Sequence, residues 1–445
     1  MLVSISILIS AVLLLLLLIA LLRLSPFIAL IVVAILTGLA KNMPLETLLK
    51  SIQNGIGATL GGLVMVLGFG VILGAILSES GAAQQISDSL IRLFGVKRAK
   101  IALLLTAFVV GLAMFYNAGF VILIPLVFSV ATRNHLPPVY LGIATAASLS
   151  VTHGFLPPHP GPMAIALMFE ADTGKTLLLG LIVALPTLIL AGVIFPERLK
   201  SMVSAPPPGL LQQEIIPEGK LPSFAASLLI ALIPIVLMTT ATIVDLLSPT
   251  DKSSFPVLRF LGDPSLATLL AVVVALLYFG KAGKKGFPER TQVLMESAAR
   301  ALNAAAMIFL IIAAGGAFKQ VLTDSGIGKD MAGYLANSTI PPLVLAWLTA
   351  TIVRISVGSA TVAGMTAAGI IQPLLIADPS LSKELMVLSI GAGSLMCSHV
   401  NDTGFWMFKE YFGLSLKDTF RSWTVMETIV GMAGLGGVLL LNMLI

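Results

Sequence analysis

Charged residues are scarce. Only 11% of the 445 residues are Asp, Glu, Lys or Arg, against 57% hydrophobic ones, and the mean hydropathy is +1.04. A soluble protein of this length needs far more charge to cover its surface, so a soluble globular fold is excluded. The single cysteine, Cys397, excludes a disulfide within the chain and any cysteine-based metal cluster. No GxxxxGK(S/T) phosphate loop occurs, and no polar segment is long enough to hold ATP, which removes direct ATP drive. The alternating segments of about 10 residues that mark a β-barrel are missing too. Neither a basic residue ahead of the first apolar run, Ile5 to Leu22, nor a small-residue cleavage pattern after it is present. That run reads as a first membrane helix, not a signal peptide.

What is present is a succession of apolar runs of about 20 residues, enough to cross a bilayer, such as Leu177 to Phe195. The fold class expected is an all-α polytopic membrane protein. The net charge of +5 and sequence pI of about 9.3 would suggest nucleic acid in a soluble protein. Here the basic residues sit in short loops, where positive-inside topology explains them without a nucleic-acid partner.

The only long polar stretch near the middle, Glu197 to Leu221, contains "APPPG" and reads as a linker. What flanks it repeats. "GVILGAILSESG" (Gly70 to Gly81) aligns with "GGAFKQVLTDSG" (Gly315 to Gly326), and "SVTHGF" from Ser150 aligns with "SHVNDTGF" from Ser398, pairing His153 with His399. The loop Gly81 to Lys100 is basic whereas its counterpart, Asp324 to Asn337, holds only Lys329. Conversely Gly280 to Glu296 is basic, and its counterpart, Lys41 to Gly55, holds only Lys41 and Lys50. Equivalent loops therefore fall on opposite faces, with the basic ones cytoplasmic, which is the pattern of inverted-topology repeats in secondary transporters. The expected organisation is a first repeat over residues 1–200, a cytoplasmic linker over 201–221 and a second repeat over 222–445. Scaffold helices fill 1–80 and 223–322; a hairpin and a broken helix fill 99–196 and 340–445. Both chain termini are expected outside.

Ile101 to Phe115 and Phe120 to Ala131 are each too short to span and flank "FYNAG"; Pro342 to Ile355 and Ala363 to Ile376 flank "SVGSAT". Both read as re-entrant hairpins. With the two breaks at His153 to Gly161 and Ser398 to Gly404, they make four interruptions expected near the midplane, where half-helix ends suit a carboxylate. The candidate substrate-binding residues are Asn117, Gly119, Thr152, His153, Arg354, Gly358, Ser359, Thr361, Ser398, His399, Asn401 and Asp402. Amides, hydroxyls and imidazoles of this kind fit a small hydroxyl-rich solute. Proton-coupling candidates are Asp402, His153, His399 and His159; the reading needs no cofactor and no metal. Bland alternatives stand beside these: an extracellular loop for the four-proline run at 157–162, packing for each histidine, and a carbonyl partner for Arg354. Gly70 and Gly74 form a small-xxx-small face that helix packing accounts for.

The stretches "SVTHGFLPPHPGP", "GGAFKQVLTDSG", "RISVGSATVA" and "SHVNDTGFWMFKEYF" resemble the gluconate permease (gluconate:proton symporter) family of bacterial inner membranes, a likeness running from the first helix to the carboxyl terminus. The resemblance implies an ion-transporter-like fold working as an elevator, proton-driven uptake of gluconate or a related sugar acid, and a homodimer as the assembly. Some relatives prefer D-serine, idonate, fructuronate or other small hydroxy acids, so a carrier for another carboxylate with different ion coupling is the alternative. Asn117 stands where many relatives have Glu; if that Glu carries the coupling proton, another group must do so here. A membrane hydrolase is the reading from a different class. The HExxH motif is absent, and an inverted repeat is not needed for hydrolysis.

Overall fold

Proline and short polar caps set most of the helix starts. Pro26, Pro138, Pro160, Pro264 and Pro342 each open a helix, where the missing N–H costs nothing. Asp172, Asp263, Ser359, Ser382, Asp402 and Ser415 cap others through their side chains. The computed structural model describes residues 2–95, 98–204, 216–247, 255–281, 286–327, 340–400 and 402–445. The expected site residue Asn401, most of the expected linker and most of the loop Asp324 to Asn337 lie outside them.

The described residues form helices and the short turns between them, with no strand among them. In chain order the helices are α1 (Leu2–Leu16), α2 (Pro26–Ala40), α3 (Leu45–Glu79), α4 (Ala82–Phe94), α5 (Ala99–Ala113), α6 (Tyr116–Arg133), α7 (Pro138–Phe155), α8 (Pro160–Phe169), α9 (Thr173–Leu188) and α10 (Phe224–Leu247). After these come α11 (Pro256–Leu261), α12 (Pro264–Phe279), α13 (Phe287–Asp324), α14 (Pro342–Val357), α15 (Ala360–Ala377), α16 (Lys383–Gly393), α17 (Thr403–Phe412), α18 (Leu416–Thr419) and α19 (Val425–Leu444). Seven described helical segments are long and apolar enough to cross a bilayer, and α5, α12 and α14 are shorter apolar helices. This is a multi-pass membrane protein.

Helices α3 and α13, of 35 and 38 residues, form the central pair and run antiparallel. Ser51 near the start of α3 donates to Asp324 at the end of α13 (2.6 Å), and Glu79 at the end of α3 lies against Arg290 near the start of α13. Each end of the pair is packed by its own apolar cluster. α1 and α2 cover one end with Leu15, Leu30 and Val33; α4, α10 and α12 cover the other with Ile86, Ile230 and Phe279. The remaining helices share the main core, whose large fully buried side chains include Phe120, Phe155, Phe405, Phe408, Phe412 and Trp423.

Two helix pairs, α5–α6 and α14–α15, are each joined by a two-residue turn. The first turn lies at Met114 and Phe115, both extended, slightly before the expected Tyr116 to Gly119. Asn117 and Gly119 consequently belong to the first turn of α6. The second lies at Gly358 and Ser359. Gly358 has φ +79°, a left-handed conformation that favours glycine. The break between α7 and α8 follows from its prolines. A residue preceding proline is pushed out of the helical region, and Leu156 (φ −111°, ψ 118°) and His159 (φ −59°, ψ 148°) are both extended. α16 ends at Gly393, and α17 restarts after Asp402.

Candidate functional site

A cavity of about 850 Å³ lies where the two hairpin tips meet the α3–α13 pair. Its walls hold Asn117, His153, Arg354, Gly358, Ser359, Thr361 and Asp402, which are seven of the thirteen expected site residues. Three helix N-termini border it: those of α6, α15 and α17, through Tyr116, Ala360 and Thr403. N-terminal amides and the helix macrodipole place partial positive charge there. No side chain caps α6.

The charged centre is Arg354, 3% exposed, which donates from Nη2 to Asp402 Oδ2. Its Nε and Nη1, both buried, have no partner among the described residues. Asp402 is fully engaged. Oδ1 accepts from the Gly404 amide (2.9 Å) as the cap of α17, and Oδ2 also accepts from Ser398 Oγ. Ser398 in turn accepts from Trp423 Nε1 at 2.7 Å. This chain ties the hairpin arm α14 to the broken helix α16–α17 and to the start of α19.

The histidines separate into two kinds. His159, buried, meets the Gly111 carbonyl through Nε2, and His399 meets the Ile355 carbonyl through Nε2 at 2.9 Å. Gly111 and Ile355 occupy the same place, two residues before the ends of α5 and α14, where helix carbonyls lack an intrahelical partner. Each broken helix thus lends a histidine to cap the first arm of one hairpin. The geometric counterpart of His399 is therefore His159, where the sequence alignment pairs it with His153. His153 lines the cavity with Nδ1 unpartnered and its ring 5.6 Å from that of His159.

The remaining expected residues that the structure describes do not line this cavity. Thr152 is fully buried, and its hydroxyl donates to the Leu149 carbonyl. Gly119 packs on Leu149, whose Cδ2 would lie 3.0 Å from a Cβ placed there. Ser398 acts through Asp402 and Trp423, as described. Gly74 backs onto the Ala113 carbonyl and Met114, whereas Gly70 faces the cavity with nothing within 4 Å of a would-be Cβ. Helix packing accounts for the first glycine and not for the second.

Sequence reasoning missed Glu427, Ser150, Tyr116 and Trp423, all on the wall. Glu427 is 2% exposed; Oε1 accepts from Ser150 Oγ at 2.5 Å, and Oε2 has no partner among the described residues. Tyr116 also keeps an unpartnered hydroxyl and meets Trp423 edge-on, with ring centroids 5.7 Å apart. The signal for Glu427 was available, since it is the sole charged residue in Val425–Leu444 and an intramembrane acid is functional by default.

The family model of the GntP family permeases matches residues 2–444. The chain is 48% identical over 434 residues to the high-affinity gluconate transporter of Escherichia coli, covering 98% of each. It is 46% identical over 423 residues to the Gnt-II system L-idonate transporter of the same species (94% of each). Against the gluconate permease of Bacillus subtilis the identity is 43% over 434 residues (95% and 96%). Among solved structures, the YdaH transporter of Alcanivorax borkumensis shares the fold with a TM-score of 0.61 at 15% identity, over 89% of this chain and 88% of that one. MtrF of Neisseria gonorrhoeae does so with a TM-score of 0.54 at 14% identity, over 88% and 84%. The chain belongs to the GntP family of permeases.

Proposed function

We propose that this permease imports gluconate across the bacterial cytoplasmic membrane by proton symport. The observation that carries the reading is Arg354, a buried residue of the cavity wall whose Nε and Nη1 find no partner among the described residues, beside three helix N-termini on the same cavity. A substrate carboxylate meets those donors, while Asn117, Ser359, Thr361 and Tyr116 face the hydroxyls. The volume is ample for a six-carbon sugar acid with water around it. Relatives named for gluconate and for L-idonate support a sugar acid; the two substrates differ in configuration at one hydroxyl carbon, so idonate is the natural competitor.

The antiparallel run of α3 and α13 supports inverted repeats over residues 1–200 and 222–445. So does the recurrence of a long helix, a hairpin and a broken helix in each half. In this reading α3 and α13 stand in the scaffold, and the hairpins with their broken helices move the substrate as an elevator. Ser51 to Gly55 then lie near the outer face, and α4 lies near the cytoplasm. In a Cys397→Ser background, single cysteines replacing Glu46 and Leu93, both exposed, are expected to react with an impermeant maleimide from opposite sides of oriented vesicles. Reaction from one side would remove the inverted repeat.

Uptake of labelled gluconate into proteoliposomes tests the function itself. An acid exterior is expected to drive accumulation, excess idonate to compete and a neutral hexose to have no effect. Gluconate uptake indifferent to the pH gradient would remove proton symport; no gluconate uptake would remove the substrate.

A further inference from the structure

The second buried carboxylate on the cavity wall has no place in substrate binding as described. Glu427 bears the same sign as the substrate and is not paired with the arginine. Among the described residues its one hydrogen-bond partner is a hydroxyl, Ser150 Oγ on Oε1; Oε2 is buried without a partner, in a residue that lines the cavity. Asp402 stands in contrast. It is held by a guanidinium, a hydroxyl and a backbone amide, an environment suited to a permanent charge. An ionised carboxylate buried with one hydroxyl is costly, and binding a proton removes that cost. The titratable and charged groups that share the cavity wall with Glu427 are Tyr116 on α6, His153 on α7, Arg354 on α14 and Asp402 before α17, all on the hairpin and broken-helix side, and Arg300 on the scaffold helix α13.

We propose that Glu427, oriented by Ser150, is the group that carries the co-transported proton; this rests on the proton-symport reading above. Oε2 takes the proton from cavity water on one face of the membrane and returns it to water on the other, with no other bond made or broken. Charge balance on the moving part gives the proposal its stoichiometry. Empty, the site holds Arg354 against Asp402 and ionised Glu427, a net charge of minus one. With gluconate bound and Glu427 protonated the net charge is again minus one. The loaded and empty sites cross carrying equal charge, so one proton accompanies one monocarboxylate.

The test compares Glu427→Gln, Glu427→Asp and the unaltered chain in proteoliposomes with a pH dye inside, measuring gluconate–gluconate exchange and gluconate-evoked acidification. Glu427→Gln keeps shape and hydrogen bonds but carries no proton. It is expected to retain exchange while losing acidification and accumulation, to the level of protein-free vesicles. Glu427→Asp is expected to retain all three. Acidification by Glu427→Gln at the unaltered ratio to gluconate overturns the proposal, and so does loss of exchange in both variants, which would make Glu427 structural. Absence of acidification by the unaltered protein during gluconate uptake strikes the symport reading instead.

Discussion

Asp402→Ala is expected to abolish gluconate uptake and to lower the melting temperature of the purified protein sharply. The cause is less the lost aspartate than the arginine it leaves behind. Arg354 is 3% exposed, and Asp402 Oδ2 accepts the hydrogen bond from Nη2. Stranding a buried charge by removing its partner costs about 3–5 kcal/mol. Loss of the α17 cap adds about 1 kcal/mol. Asp402→Asn keeps the cap geometry and loses only the charge, so it falls between the two. The double variant Asp402→Ala with Arg354→Leu removes the stranded charge, and it is expected to regain much of the stability while transporting nothing. That split separates fold from function, because substrate recognition needs the guanidinium and the fold needs only that no charge be left alone. Thermal melts in detergent, with uptake in vesicles, read both. Unchanged melting in Asp402→Ala would show that the pair holds nothing together.

Much of this site was legible in the chain, and the illegible part has a physical reason. The four-proline run announces its own break, since proline disfavours a helical conformation in the residue before it, and here Leu156 and His159 both take extended backbone. Gly358 does the same at the second tip by adopting positive φ. The first tip carries no such local mark. α5 stops at Ala113 because a histidine 48 residues away satisfies the Gly111 carbonyl, and no local reading of "AMFYNAG" contains that contact. Sequence likeness paired His153 with His399, but the contacts pair His159 with His399. Alignment compares positions along a repeat, whereas capping depends on where a ring reaches. Glu427 was overlooked for a simpler reason. It lies in an unbroken helix, away from the four interruptions, and reaches the cavity only because α19 packs against α7 and α16.

Two glycines on the central helices are expected to fail in opposite ways when enlarged. α3 and α13 cross in backbone contact at Gly55 and Gly316. A Cβ on Gly316 would lie 2.6 Å from the Gly55 carbonyl oxygen and 2.0 Å from Thr59 Oγ1, and a Cβ on Gly55 would lie 2.4 Å from the Gly316 oxygen. Nothing flexible separates the two carbonyls, so Gly316→Val must push the helices apart. Overpacking costs about 1–3 kcal/mol even where side chains can yield. The packing lost in a membrane, where close approach of small residues drives association, comes on top of it. The expected result is little folded protein by size-exclusion chromatography. Gly70 lies 15 residues along α3 from Gly55, and a Cβ there meets nothing within 4 Å. Gly70→Leu therefore folds, with stability equal or slightly raised, because leucine favours a helix over glycine by about 0.5–1 kcal/mol. Its side chain enters the cavity beside the hairpin tips, where added bulk in a substrate pocket is worth about 1–3 kcal/mol, or roughly 10–200-fold in KM. Uptake kinetics on the purified, melt-tested variant read this directly. Gly70→Leu with an unaltered KM would mean that gluconate never touches this wall, and normal folding of Gly316→Val would mean that the two helices are not in backbone contact.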